Sequence, residues 1–284
     1  MSQHYLHSDT ILQDPRKNND QPEITCDSLF DGELICQQHR HGYRFSVDAV
    51  LLAHFVMVSA GARIIDLGCG CGVIPMILCY RHREKIERIT GIELQPDLAS
   101  LARNNILRNR FGERINIIGG DVRDILNYLP PESYDAVVIN PPFFSTHTGR
   151  LPVSSEAAIA RHQLNGNLND FLRSAAAAVK NKGAVYIVYP AGKITDIVRF
   201  ATGNRLEPRR FRHVYSYPKP TSAGTEPQTA RLGLIECCKN GGREAKVVEP
   251  LYIYSRKNGP YSEEMQRYMR KNSGPEISLG KDPL

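Results

Sequence analysis

The chain reads as an α/β protein with a mostly parallel sheet and helices on both faces, and three observations predict it. Short apolar runs alternate with segments of helical spacing from Arg63 to Thr202. A glycine-rich turn joins the first of these runs to the helix that follows. Finally, Asp66, Glu93, Asp121 and Asn140 stand at or just past the ends of four successive runs. Strand and helix alternation favours parallel pairing with right-handed crossovers. Ligands in such sheets bind beyond the carboxyl ends of the strands, where those four residues fall.

Each element has a local reason. Residues 1 to 25 are rich in Asn, Asp, Gln and Lys without periodicity and read as a flexible tail. Residues 26 to 60 read as a hairpin, Phe30 to Gln38 with Tyr43 to Phe45, and a helix from Val47 to Met57. Asp48 in its first turn favours the helix dipole and borders the ligand edge. Arg63 to Asp66 is a short buried strand, and Val73 to Tyr80 an apolar helix. Ile89 to Glu93 is the next strand. Pro96 to Asn109 then has Pro in its first turn and Leu98, Leu101, Ala102 and Asn105 at helical spacing. Ile115 to Ile118 and Tyr134 to Ile139 are further strands. The helix from Leu168 to Lys180 is expected to stop before a left-handed cap at Gly183. Val185 to Tyr189 is the fifth strand and Ile194 to Thr202 the next helix. Phe211 to Tyr217 and Leu232 to Cys237 form an antiparallel edge pair, joined by a mobile loop at Pro218 to Gln228. The main domain therefore runs from 61 to 255, with 256 to 284 as a C-terminal tail.

The turn Leu67-Gly68-Cys69-Gly70-Cys71-Gly72 is spaced G-x-G-x-G. Glycines there permit φ > 0 and a close backbone approach to a ligand, and the free N–H groups of the helix start face it. The dinucleotide fingerprint is G-x-G-x-x-G, so the spacing argues against a nicotinamide enzyme. Glu93 ends its strand where a carboxylate meets a ribose diol, with Leu94 beside it. Asp121 is placed to accept from an adenine amine, and the Val122 backbone to donate to the ring.

Asn140-Pro141-Pro142-Phe143 follows the last of these strand ends. An exocyclic base amine is a poor nucleophile because its lone pair is delocalised. A site that accepts from both of its N–H groups draws the nitrogen toward a reactive tetrahedral geometry. The Asn140 side-chain oxygen and the Pro141 carbonyl suit that task. Proline fixes φ and holds the preceding residue extended, so the carbonyls project rigidly. Phe143 offers a stacking face. Proline pairs also mark ordinary turns.

Together, Asp66 to Gly72, Glu93, Asp121 and Asn140 to Phe143 resemble the Rossmann-like, class I S-adenosylmethionine-dependent methyltransferases. Within these, the chain is similar to the bacterial group that methylates N6 of the adenine just 3′ of the anticodon in a valine tRNA. The closer match rests on Gly42 to Ala53, Ala160-Arg161-His162 and Pro250 to Tyr254, and it spans about Phe30 to Met269. Phe143 stands where that group often has tyrosine. The resemblance implies a seven-stranded sheet, S-adenosylmethionine as cofactor and tRNA as partner. It assigns Asn140, Pro141, Pro142 and Phe143 to the acceptor mouth, and Asp66, Gly68, Gly70, Gly72, Glu93, Leu94, Asp121, Val122 and Asn140 to the cofactor. Related enzymes with the same mouth methylate guanine N2 in ribosomal RNA or a protein glutamine amide. A non-catalytic RNA-binding module is a further alternative.

Composition sets limits. At 284 residues with 41% hydrophobic content the chain suffices for one sizeable core. No apolar stretch reaches membrane-spanning length and no secretory leader is visible, so a cytoplasmic location is expected. The seven cysteines are odd in number and lack C-x-x-C spacing, which implies reduced thiols and no metal site. A net charge of +6 permits a polyanion partner. Arg205, Arg209, Arg210, Arg212, His213 and Lys219, interleaved with Phe211, Tyr215 and Tyr217, form a basic strip suited to an RNA backbone. Arg150, Arg161 and His162 flank the expected entrance. Arg81, Arg83, Lys85 and Arg88 read as a solvated face. The oligomeric state is not legible.

Overall fold

A computed structural model describes residues 23–41, 44–141, 168–219 and 228–270. Its centre is an eight-stranded sheet flanked by helices on both sides. In chain order the sheet contains β3 (Ala62–Leu67), β4 (Ile86–Glu93), β5 (Ile115–Gly119), β6 (Tyr134–Ile139), β7 (Val179–Pro190), β8 (Leu206–Tyr215), β9 (Leu232–Lys239) and β10 (Lys246–Tyr252). The spatial order is β10-β8-β9-β7-β6-β3-β4-β5. Pairing is parallel from β5 through β7, antiparallel where β9 sits between β7 and β8, and parallel again between β8 and β10. The expected antiparallel pair is present, but it does not form the edge. β10 lies outside β8 and raises the strand count from seven to eight. Its sequence, KVVEPLY, contains a proline at a register shift, which hid its strand character.

Helices α1 (Val47–Phe55), α2 (Val73–His82) and α3 (Pro96–Arg108) bury one face of the sheet. The 3-10 turn Val122–Asp124, the short α4 (Ile125–Tyr128), α5 (Leu168–Ala178) and α6 (Ile194–Gly203) serve the other. Two apolar cores result, one on each side of the central strands. Because the strands are covered twice, they read as continuous apolar runs such as Val137-Val138-Ile139, all fully buried.

Three expected boundaries shift. The hairpin is β1 (Ile24–Leu29) with β2 (Leu34–His39), and Phe30 and Asp31 take left-handed conformations in the turn. The sequence reading starts a strand at Phe30, where a polar Asp31-Gly32 turn stands instead, and residues 24 and 25 belong to a strand rather than a tail. Helix α5 ends at Ala178, and the chain enters β7 directly. The left-handed residue there is Lys182, φ 63, and Gly183 is an ordinary strand residue. It is glycine because an added Cβ would lie 2.6 Å from Val179 Cγ2 and 2.9 Å from the Asp135 carbonyl oxygen. Residues 263 to 269 of the expected C-terminal tail form α7 (Glu263–Met269), capped by the Ser262 hydroxyl.

Candidate active site

The glycine turn is assembled from strand ends. Gly68 and Cys69 both donate their N–H to the Ile92 carbonyl at the end of β4, at 2.8 and 3.0 Å. Gly68, Gly70 and Gly72 have φ of 77°, 54° and 83°, as the spacing predicted. Gly91 in β4 has a different reason to be glycine. A Cβ there would sit 2.6 Å from Ile117 Cδ1 and 2.7 Å from Cys69 Sγ, so only a bare backbone lets the turn fold down onto the sheet.

Two acids organise this turn. Glu93, 6% exposed, accepts from the Gly70 N–H through Oε2 and from the Gln95 N–H through Oε1, both at 2.9 Å. Burial raises its pKa, and these N–H groups oppose the rise. Asp66 is fully buried at the end of β3, and neither carboxylate oxygen has a hydrogen-bond partner among the described residues. Burial first, and then the nearby Glu93 charge, push its pKa up to about 8. A buried carboxylate without partners is costly. The donor set it lacks is the kind a cationic, multiply hydrogen-bonding ligand provides, so the residues present fit such a group.

Asp121 caps the 3-10 turn after β5 and accepts from the Arg123 N–H at 2.9 Å. The Arg123 guanidinium also grips both of its oxygens and holds its pKa low. Any second acceptor role for Asp121 is therefore shared with Arg123. Val122 is buried and Leu94 half-buried on the same edge.

Register brings the glycine turn and the proline motif together. β3 and β6 pair with Leu67 opposite Ile139, so the next residues, Gly68 and Asn140, leave neighbouring strands side by side. Adjacent strands lie about 4.8 Å apart. Asn140 is half-buried and Pro141 buried. Pro142 and Phe143 lie outside the described residues, as do Arg150, Arg161 and His162.

A residue read in the sequence only as part of a helical stripe holds this arrangement in place. Asn105 of α3 donates to the Cys71 carbonyl of the glycine turn at 2.9 Å and to the Gln37 carbonyl of β2 at 2.9 Å, and accepts from the Gln37 N–H at 2.8 Å. Asn109, one turn later, exchanges the same pair of bonds with Ile35. The two amides give β2 a partner along the helix. The legible signal was an amide at 105 within an apolar helical stripe.

The basic strip is only partly a strip. Arg210 turns inward to pair with Glu236 at 2.7 Å and to lie over the Phe55 ring at 4.0 Å. Arg212 pairs with Glu264 of α7 at 2.8 Å and contacts the Tyr268 hydroxyl. Both are fasteners, because the face of β8 they occupy is covered by α1 and α7. Arg205, Arg209 and Lys219 remain exposed. In the second cluster Arg83, Lys85 and Arg88 are exposed, while Arg81 donates to the Ala53 carbonyl at 3.0 Å. A groove of about 670 Å³ between α6 and β8, lined by Val198, Thr202, Phe211 and Arg243 among others, opens at the amino end of β8, away from Gly68 and Asn140. Among the described residues no group of three His, Cys, Asp or Glu is set to hold a metal, and no helix is long and apolar enough to cross a membrane.

Comparison with known proteins agrees with this fold. The methyltransferase small domain family matches residues 46–193, just over half the chain. A tRNA1(Val) (adenine(37)-N6)-methyltransferase from a Flavobacteriaceae bacterium is 27% identical over 80% of this chain and 90% of its own length. One of the same name from Tolumonas auensis is 30% identical over 58% of this chain and 67% of its own. Among solved structures, a predicted O-methyltransferase from Agrobacterium tumefaciens shares the fold with a TM-score of 0.61 at 22% identity, covering 78% of this chain and 94% of that one. The chain belongs to the methyltransferase small domain family and is an S-adenosylmethionine-dependent methyltransferase.

Proposed function

We propose that this enzyme methylates the exocyclic N6 amine of an adenine in tRNA, at the anticodon-loop position just 3′ of the anticodon. The observation that carries the reading is that Asn140 leaves β6 beside Gly68 leaving β3, so an acceptor gripped by the first shares an edge with a donor cradled by the second. The names of the relatives support tRNA over the ribosomal or protein acceptors that the same mouth accommodates.

S-adenosylmethionine supplies an electrophilic methyl on a cationic sulfur. The glycine turn at Gly68, Gly70 and Gly72 gives the donor a close backbone approach. The Asp66 carboxylate, which has no hydrogen-bond partner among the described residues, would accept from the donor's ammonium, and Glu93, already oriented by Gly70 and Gln95, would use its remaining lone pairs on the ribose diol. Leu94, Val122 and Asp121 would border the donor's adenine, with Asp121 sharing its acceptors with Arg123.

At the acceptor, the Asn140 side-chain oxygen and the Pro141 carbonyl accept hydrogen bonds from the two amine N–H groups. Positive charge grows on that nitrogen as the N–C bond forms and the methyl–sulfur bond breaks; dipoles fixed beforehand stabilise it without reorganising, and the nitrogen then releases one proton to solvent. Pro142 and Phe143 complete the mouth in this reading, Phe143 by stacking. The base must first leave the loop stack, at a cost of a few kcal/mol that stacking in the site offsets.

Labelled donor incubated with total tRNA, followed by nucleoside analysis, tests the proposal. The expected product is N6-methyladenosine, and Asn140→Ala abolishes it while donor affinity stays within about twofold. Labelled guanine or labelled protein glutamine, with no labelled adenine, overturns it.

A further inference from the structure

The sheet continues past the site as β9, β8 and β10, and its far end carries aromatic rings that no fastening role uses. Along β8, Arg212 and Val214 face α1 and α7, so His213 and Tyr215 face the opposite side. Along β10 and its continuation, Leu251 and Ile253 are buried on the α1 side, which turns Tyr252 and Tyr254 the other way. The rings then line up. Tyr215 and Tyr252 stack with centroids 5.5 Å apart, and His213 lies 6.5 Å from Tyr215. Tyr254 stacks on Tyr261 at 5.4 Å across a β-bridge, and the two are 37% and 38% exposed.

Register places these rings relative to the mouth. Asn140 stands level with Val188, Val188 pairs with Leu234, and Leu234 with Arg212. Tyr215 therefore projects about 10 Å beyond that line, on the carboxyl side where donor and acceptor meet. Three strand spacings, about 14 Å, separate β8 from β6.

The charge around the rings is mainly positive, with the exposed acids Glu249 and Glu263 just outside the ring-bearing segments. Lys219, Arg231, Arg256 and Lys257 are exposed at this end. Segments 211–219, 228–235 and 252–261 contain no Asp or Glu. Partly exposed aromatic rings bordered mainly by cations fit a single-stranded polyanion whose bases are free to stack. They fit a duplex poorly, because its bases already stack on one another.

We propose that the carboxyl-end face of β8 and β10, centred on Tyr215 and Tyr252, is a stacking platform for unpaired RNA nucleotides flanking the methylated base. It rests on the tRNA reading above and adds where the rest of the loop lies. One face grips the reacting base at Asn140, and a second, about three strands away, holds its neighbours.

The test is a Tyr215→Ala/Tyr252→Ala pair in the full chain, beside a Tyr215→Phe/Tyr252→Phe pair that keeps the rings. Affinity for unmodified tRNA is read by fluorescence anisotropy, donor affinity by calorimetry, and KM and kcat by label transfer. The alanine pair is expected to bind tRNA roughly tenfold to a hundredfold more weakly. Its KM for tRNA rises in step, with donor affinity unchanged and binding to a short RNA duplex unaltered. The phenylalanine pair restores tRNA binding. The platform is refuted if the alanine pair binds tRNA like the wild type, if the phenylalanine pair loses as much as the alanine pair, or if donor affinity falls with tRNA affinity. The two readings separate cleanly. A wild type that methylates tRNA adenine while both pairs behave normally removes the platform alone. A wild type that binds RNA through these rings but methylates another acceptor removes the adenine reading alone.

Discussion

Asp66 and Glu93 are two carboxylates in one buried setting, and their hydrogen bonds separate their roles. Glu93 ties the glycine turn to its own strand end by accepting from the Gly70 and Gln95 N–H groups, whereas Asp66 has no partner among the described residues and its pKa rises to about 8. The sign of the consequence follows from proton linkage. If the donor's ammonium binds the ionised Asp66, binding must expel a proton below about pH 8, so donor affinity rises with pH. Calorimetry between about pH 6 and 7.5 should show that rise in the wild type, and a weak, flat affinity in Asp66→Asn. In the free enzyme the same group works against folding as pH climbs. Its folded pKa exceeds its unfolded value, so the stability it allows is complete below the ordinary carboxylate range and declines toward pH 8. The strand-end positions of these candidate residues were legible in sequence, because a polar residue there interrupts an apolar run. The Arg123 grip on Asp121 was not legible, since a local ion pair two residues away leaves no periodic trace.

At the scale of elements, the glycine turn depends on three neighbours: β4 beneath it, α3 beside it and the β1–β2 hairpin behind. Gly91→Ala would drive a methyl into Ile117 and Cys69. Overpacking of this kind costs about 1–3 kcal/mol, and the loss should appear as a lower denaturation midpoint together with weaker donor binding. Asn105→Ala leaves the Gln37 N–H and the Gln37 and Cys71 carbonyls without this partner. A loss on the order of 3 kcal/mol is expected from chemical denaturation. Faster amide exchange in β2 would separate hairpin release from general loosening. The helix and strand alternation was readable from hydrophobic period alone, because residues buried on both sheet faces leave little choice of state. The exact strands of the hairpin and the existence of β10 were not, because the Phe30-Asp31 turn shifts the hairpin bounds and β10, largely exposed, gains its strand character from β8, which is distant in sequence.

Across the whole molecule, the last segment closes the fold over the first helix. His54 of α1 stacks on Tyr268 of α7 at 4.0 Å, and burial depresses its pKa to about 2. A histidine held neutral contributes stability above its unfolded pKa, near 6.5, and that contribution is lost as pH falls from there toward 2. His54→Phe, which retains a ring against Tyr268, should therefore lose less stability than the wild type between pH 7 and 5 in parallel denaturant titrations. Equal losses would show that another group governs the acid response. Sequence by itself determined the sheet's central strands, the glycine spacing with its three positive φ angles, and the carboxyl-edge position of Asp66, Glu93, Asp121 and Asn140, because local sterics and hydrophobic period act on near neighbours. Only the tertiary structure decided that Gly68 and Asn140 emerge side by side, that Arg210 and Arg212 face inward as fasteners, and that rings from β8 and β10 share one exposed face. Those outcomes depend on strand order and register, which are set by the burial of distant segments against one another.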